Sequence, residues 1–293
     1  MEAAREALII ARHDLRHSIG STRAILFLLI YALASVVAGA VMVWALSHIQ
    51  AQIDAQIAAL PIQQRPTDLA AEKAEAYRQI LTMLVGDEDK AAYLTSIPIV
   101  VLFFFWGTRN FLPWLVVLMG YDQVNGEVHN RSIRYVLLRA RRGSIVAGKM
   151  LSLFVLLMGL TIATNVLVLG LAAVIIEDFE TISAVRHLAR FWLLTMPIGL
   201  CWIAVTSFLS SLFKNPYVSL LVGLTVLVGT AVVGWTARIV DSLSFLQWVS
   251  PWHYGGYLLS HRPLEQLAGV AGFLGFAAVC TALSYLVLRW RDL

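Results

Sequence analysis

Residues 24–46 read AILFLLIYALASVVAGAVMVWAL and contain no charged side chain. A stretch of about 20 apolar residues is long enough to cross the hydrocarbon core of a bilayer as an α-helix. The whole chain shares this character, because 59% of its 293 residues are hydrophobic and only 14% are charged. Soluble domains average about 25% charged residues. Residues 24–46 therefore predict a transmembrane helix, and the composition predicts a membrane protein.

Five further runs are long and apolar enough to span a bilayer, which predicts an all-α membrane protein with six transmembrane helices in one domain, residues 1–293. The predicted spans are about 24–46, 94–120, 150–176, 191–213, 217–236 and 268–288. The second run contains Arg109 and Asn110 and is expected to bend near Pro98 or Pro113. An even number of spans places both chain termini on one side of the membrane.

The distribution of basic residues predicts the orientation. The N-terminus, segment 121–149, the turn after the fourth span and the C-terminus together hold 13 Lys and Arg against 6 Asp and Glu, whereas the other side holds 8 against 12. Basic loops remain in the cytosol, so both termini are expected inside and the loop 47–93 outside. A stretch at 68–84 in that loop has a helical pattern, which predicts an ordered helix over the outer membrane surface, with a solvated loop as the alternative. Because the basic residues flank apolar runs, the net charge of +4 indicates membrane orientation and no nucleic-acid partner.

Two charged segments on the predicted inner side have amphipathic patterns. Residues 3–20 place apolar and basic side chains on different faces, which predicts an N-terminal helix in the membrane interface. Within 121–149, apolar residues recur at helical spacing, which predicts a helix along the membrane surface. Its apolar positions are Ile133, Val136, Leu137 and Ala140. From the residues alone, this segment is either a basic anchor or a docking element.

Polar side chains inside predicted spans are candidates for a translocation pathway. Arg109 lies deep in the second span, where a charge is costly. It either bonds backbone carbonyls and Asn110 at a break in the helix or faces an anionic group of a substrate. Thr164 and Asn165 in the third span either join helices by hydrogen bonds or line a pathway. Near the sixth span, an outer aromatic belt is expected. Its members are Trp248, Trp252, Tyr254 and Tyr257.

Catalytic and metal-binding patterns are missing from the sequence. There is no GxxxxGK[ST] loop to hold ATP phosphates and no HExxH zinc motif. Cys201 and Cys280 both lie in apolar runs and form no metal-ligand pattern. We therefore expect no catalytic residue and no metal site, and a membrane-embedded enzyme is the least favoured reading.

Residues 120–149 resemble the cytosolic loop of the ABC-2 type permeases, the transmembrane subunits of a class of ABC transporters. The family pattern has an Asp after the second span, a Glu about five residues on, a polar turn, a Leu pair, an Arg and a Gly-Lys entering the third span. This sequence offers Asp122, Glu127, Arg131-Ser132-Ile133, Leu137-Leu138, Arg142 and Gly148-Lys149. The six spans, the interfacial helix and the long outer loop are similar to that architecture.

The resemblance implies a cytosolic coupling helix between the second and third spans that docks on a separate ATPase. The implied ATPase-coupling residues are Asp122, Glu127, Arg131, Ser132, Arg134, Arg142 and Lys149. It also implies that Pro251 and Gly255-Gly256 mark a short re-entrant helix.

The expected partners are two copies of an ABC ATPase, a second copy of this permease or a related one, and membrane lipids. The chain itself would bind no cofactor, since ATP and Mg²⁺ would be held by the ATPase. An exporter in a bacterial inner membrane is expected. The alternatives are a membrane scaffold or assembly protein that docks a cytosolic partner without transport, and an ATP-independent transporter or channel. The sequence does not identify the substrate.

Overall fold

The computed structural model describes residues 2–59, 82, 88–129, 140–176 and 179–290, and these ranges contain helices and turns but no strand. Six helical stretches are long and apolar enough to cross a membrane. They are Ala24–Ala45, Ile99–Val128, Arg142–Ile175, Thr181–Leu212, Pro216–Ile239 and Pro263–Trp290. This confirms the predicted all-α fold with six spans. The helix predicted at 68–84 lies outside the described residues, except for Thr82.

Ten α-helices follow one another along the described chain. They are α1 (Glu2–Gly20), α2 (Thr22–Ala59), α3 (Glu88–Thr95), α4 (Ile99–Gly120), α5 (Asn125–His129), α6 (Arg142–Ile175), α7 (Thr181–Leu212), α8 (Pro216–Ile239), α9 (Pro251–Tyr254) and α10 (Pro263–Trp290). Two short 3-10 helices, Asp241–Val249 and Tyr257–Leu259, flank α9. The pattern at 3–20 therefore does form a helix, and its place in a membrane interface stays a prediction.

Several helices start at residues other than those predicted from the apolar runs. The second span begins at Ile99 rather than at about 94, because Pro98 caps the start of α4 and separates it from α3. The third span begins at Arg142 rather than at about 150, since helical hydrogen bonding continues beyond the apolar run. Residues 142–149, predicted as part of the loop, are thus the first two turns of α6.

Helix α7 lies at the centre of the bundle and packs against α4, α6, α8 and α10. Buried residues make up 67% of its most apolar stretch, compared with 6% for α2. Helix α2 lies at the rim against α4 and α6 and leaves apolar side chains such as Leu29 and Leu33 exposed. A helix that is apolar all round is suited to a lipid environment. The span that first indicated a membrane protein is therefore peripheral.

The first turn of α1 and the last turns of α10 lie at the same end of the bundle, which we call the termini end. A carboxylate oxygen of Glu2 in α1 is 3.3 Å from a guanidinium nitrogen of Arg141. Arg142 donates to the backbone carbonyls of Leu288 and Arg289 in the last turns of α10. These contacts agree with an even number of spans. The assignment of this end to the cytosol stays a prediction.

At the opposite end, residues 250–260 fold back into the bundle. The Trp252 ring lies 5.5 Å from the ring of Trp202 in α7, and Leu258 is fully buried. The prediction of an outer aromatic belt is wrong for Trp252, because its indole packs inward and donates to Thr230 Oγ1 of α8. Trp248 does remain exposed. The short helix α9 begins at Pro251, where the resemblance implied a re-entrant helix.

Candidate functional site

The segment that follows α4 is fixed to α7 by one buried serine. The Ser210 hydroxyl oxygen accepts hydrogen bonds from the backbone N–H groups of Val124 (3.0 Å) and Asn125 (3.2 Å). All three residues are buried. The first N–H groups of a helix have no partner within the helix, so Ser210 satisfies donors at the start of α5. It thereby holds α5 in one position relative to α7.

A buried lysine joins three helices at the termini end. Lys149 Nζ in α6 is 2.7 Å from Glu127 Oε1 in α5 and 3.4 Å from Asp14 Oδ2 in α1. The Lys149 side chain is 5% exposed, and each carboxylate side chain is 25% exposed. A buried ammonium group is stable only with charged or hydrogen-bonding partners. The two carboxylates therefore hold α1 and α5 against the start of α6, and we call these three residues the ionic cluster.

A polar cavity of about 450 Å³ adjoins the ionic cluster. Its lining includes Asp122 and Gln123 from the turn after α4, together with His13 and His17 from α1. The structure thus brings together three of the predicted coupling residues, Asp122, Glu127 and Lys149, around one cavity. Such a cavity on a charged surface can receive a polar or charged group of a partner.

Helix α1 sits closely on the first turns of α6. A Cβ atom at Gly148 would lie 2.7 Å from the Ala7 carbonyl oxygen and 2.8 Å from Ile10 Cβ. Only glycine leaves room for α1 at this position. The Ser144 hydroxyl also donates to the Ala3 carbonyl at 3.2 Å. The close approach makes α1 and the first turns of α6 a single packed unit.

Glu6 adds an electrostatic contact between these two helices. Its Oε2 atom accepts a hydrogen bond of 3.3 Å from the backbone N–H of Arg141. This bond, aided by the Arg141 charge, lowers the pKa of the Glu6 carboxyl below its usual value. The charged form of Glu6 therefore favours the packing of α1 against the first turns of α6.

The remaining predicted coupling residues fall into two groups. Arg142 is not part of the ionic cluster, because its guanidinium group satisfies the last carbonyls of α10. Residues Arg131, Ser132 and Arg134, and most of the predicted surface helix, lie outside the described residues. The structure therefore locates four of the seven coupling residues and brings three of them together.

Arg109 is held by the folded-back segment at the other end. Its Nη2 donates to the Trp252 carbonyl at 3.1 Å, and a Cβ atom at Gly255 would lie 2.5 Å from its Nε. Asn110 Nδ2 donates to the Trp106 carbonyl one turn back in α4, at 2.8 Å. Of the two expectations for Arg109, bonding to a backbone carbonyl is therefore observed, although the carbonyl belongs to α9.

Thr164 and Asn165 line a second cavity, of about 280 Å³, between α2, α4 and α6. The Thr164 hydroxyl donates to the carbonyls of Leu160 and Thr161 in its own helix. Arg109 and Asn110 are not among the residues that line this cavity. The four candidate pathway residues thus occupy two separate places. Apolar side chains dominate the lining, and we call this space the mid-bundle cavity.

Sequence reasoning missed the contributions of α1 and α7 to the site. Asp14 and Ser210 contact the coupling segment from 135 and about 85 residues away in the chain. The spacing of His13 and His17 at i and i+4 places both on one face of α1, which was the available signal. Nothing in a single sequence pairs that face with Lys149.

These observations define a multi-pass α-helical membrane protein with a charged segment, packed against α1, α6 and α7, at the end of its second span. Residues 8–293 match the family model described as "ABC-2 family transporter protein". The chain therefore belongs to the ABC-2 family, whose members are the permease subunits of ABC transporters and partner with an ABC ATPase subunit. No curated protein matches the chain.

Proposed function

We propose that this chain is the permease of an ABC exporter in a bacterial inner membrane, and that a separate ATPase drives it by pushing on α5. The termini end would face the cytosol, and two ATPases would bind ATP and Mg²⁺ beneath a pair of permeases. The chain itself would contribute no hydrolytic residue. The observation that supports this proposal is the ionic cluster.

The ionic cluster offers a physical route for the push. An element that is held on several sides moves as a rigid unit, so its displacement is passed to its neighbours. Glu127 belongs to α5, and its partner Lys149 belongs to the third span. Ser210 ties the start of α5 to α7. Movement of α5 would therefore shift the third and fourth spans together.

The experiment starts from the ABC ATPase that co-purifies with the chain from native membranes and measures permease-stimulated ATP hydrolysis. Removing one partner of a buried charge pair costs about 2–5 kcal/mol, so Glu127→Gln should reduce the stimulation by more than about tenfold. The matched control is Glu265→Gln at the other end of the bundle. Glu265 pairs with the exposed Arg262 at 3.6 Å, and its replacement should leave the rate unchanged.

Three results would count against the proposal. If no ATPase associates with the chain in a nucleotide-dependent manner, the transporter function fails. If an ATPase associates but Glu127→Gln stimulates hydrolysis as the wild type does, coupling does not pass through the ionic cluster. Association without any ATP-dependent substrate movement would support a scaffold instead.

A further inference from the structure

The mid-bundle cavity has the walls of a binding site for an apolar molecule. It is bounded by Tyr31 of α2, by Phe103, Phe104 and Phe111 of α4, and by Val168 of α6. Its volume of about 280 Å³ is nearly twice that of the roughly 150 Å³ engineered cavity that binds benzene. The space therefore suits a segment of an alkyl chain or a fused pair of rings, and it excludes a large glycan or a folded peptide.

The position of the cavity along the spans places it within the hydrocarbon region. Asn165 lies 16 residues after Lys149 and 11 before Ile176 in the sequence, or about 24 Å and about 16 Å along the helix. The lining residues Ala34, Ala38 and Phe111 are exposed on the flank of the bundle. A molecule dissolved in the bilayer can therefore enter the cavity sideways.

Two polar side chains in the lining have no hydrogen-bond partner among the residues that the structure describes. Thr108 is 5% exposed and Asn165 is 8% exposed, and both line the cavity. An unpaired amide in an apolar medium costs several kcal/mol, and polar groups within a membrane normally find partners. Thr164, beside Asn165, uses its hydroxyl on its own helix. The unpaired groups thus mark the place where a ligand's polar group would lie.

We propose that the mid-bundle cavity binds a bilayer-dissolved amphiphile, with an apolar chain between α2, α4 and α6 and a single hydroxyl or ester group hydrogen-bonded to Asn165 and Thr108. An amide and a hydroxyl each donate and accept hydrogen bonds, so they can recognise either group. A charged headgroup does not fit, because the described lining contains no ionisable partner other than the Tyr31 phenol. The role of this molecule as cargo rests on the proposed transport function, but its binding does not.

The test uses the full chain in lipid nanodiscs and a decanol that carries a photoreactive diazirine in its alkyl chain. After irradiation, mass spectrometry locates the labelled residues. We expect saturable labelling of the cavity walls on α2, α4 and α6, and competition by unlabelled decanol. The matched alkane probe, which lacks the hydroxyl, should label these walls about fivefold less, which corresponds to the loss of one hydrogen bond of about 1 kcal/mol.

Two substitutions separate binding in the cavity from general lipid contact. Gly107 lines the cavity and a Cβ atom there meets nothing within 4 Å, so Gly107→Leu places added volume in the cavity and should abolish the saturable labelling. Gly170→Leu on α6 is the matched control, because Gly170 also has open space but does not line the cavity. Asn165→Leu should retain labelling and lose the preference for the alcohol.

The outcomes distinguish this inference from the transport proposal. Non-saturable labelling that equals labelling of the exposed Val166 and Leu167 would overturn it, since that pattern describes ordinary surrounding lipid. Saturable labelling that survives Gly107→Leu would also overturn it. A brominated-chain diacylglycerol, which is an uncharged lipid, identifies a membrane lipid as the occupant if it competes with the probe, and competition by free decanol alone identifies a smaller amphiphile. Neither result depends on ATPase stimulation.

Discussion

The ionic cluster and the mid-bundle cavity differ in whether their buried polar groups have partners among the described residues. In the cluster, Lys149 is buried with two carboxylates within 3.4 Å, so its charge is matched inside the chain. In the cavity, Thr108 and Asn165 are equally buried and have no partner among the described residues. A matched cluster serves to hold helices together, whereas unmatched groups leave hydrogen-bonding capacity for another molecule. The first region is thus consistent with the proposed transmission of movement, and the second with the proposed binding.

The strongest test of this contrast is to remove the cation of the cluster. Lys149→Met keeps the volume of the side chain and leaves the Glu127 and Asp14 carboxylates without their common partner. We expect a loss of about 2–4 kcal/mol, below the largest values for buried pairs because both carboxylates are partly solvated. Unfolding of the purified protein in detergent, followed by circular dichroism, measures it. Lys149→Arg should retain most of the stability, and an unchanged Lys149→Met would contradict the structural role of the cluster.

A second prediction concerns the steric fit of α1 on α6. Gly148→Leu places a Cβ atom 2.7 Å from the Ala7 carbonyl oxygen, so α1 must move away from α6. Overpacking of this kind costs about 1–3 kcal/mol. The control is Gly159→Leu on the same helix, where a Cβ meets nothing within 4 Å and where leucine is the better helix former. Proteolysis within α1 should accelerate for Gly148→Leu and not for Gly159→Leu.

The third prediction concerns the mid-bundle cavity, where a substitution should leave the stability unchanged or raise it. Asn165→Leu removes an unpaired amide and replaces it with an apolar side chain of similar size. Stability should remain the same or rise by up to about 1 kcal/mol, because a lone polar group buried without a partner is destabilising. The same unfolding measurement in detergent without added alcohol reports it. A marked loss of stability would mean that Asn165 has a partner within the protein.

The smallest expected effect is the pH dependence of the packing of α1 against α6. The pKa of Glu6 is lowered in the folded protein, so its contribution is present above the usual carboxyl value of 4.5 and is lost as the pH falls through the lower folded value. In the wild type, proteolysis of α1 should become faster as the pH falls through this acidic range. In Glu6→Gln this increase should be smaller. Because Glu6 is only partly buried, an effect on proteolysis larger than that of Gly148→Leu would be inconsistent with its position.

The sequence predicted what depends on local physics and missed what depends on distant contacts. Six apolar runs gave six spans, because the bilayer thickness sets the length of a spanning helix. The start of α6 was placed too late, since Arg142 and Lys149 were read as loop residues on account of their charge. In the structure these charges are tolerated in a helix because Leu288, Arg289, Glu127 and Asp14 supply partners. Such partners can be identified only after the chain has folded.

The polar residues predicted to line one pathway show the same limit of sequence-based prediction. Arg109 and Asn165 both stand out in the sequence as polar residues inside spans. Their partners depend on the rotation of each helix within the bundle, which sequence spacing alone does not fix for helices that are apolar on all sides. Arg109 in α4 therefore bonds to the folded-back segment at Trp252, whereas Asn165 lines the cavity beside α2.

The bond from Arg142 to the end of α10 has a consequence for biosynthesis. Leu288 follows Arg142 by 146 residues, so the ribosome has synthesised the third to fifth spans and most of the sixth before the partner carbonyls exist. During that time the Arg142 guanidinium must be satisfied by water or lipid phosphate. The hydrogen bonds of Arg142 are consequently completed only after α10 has been synthesised.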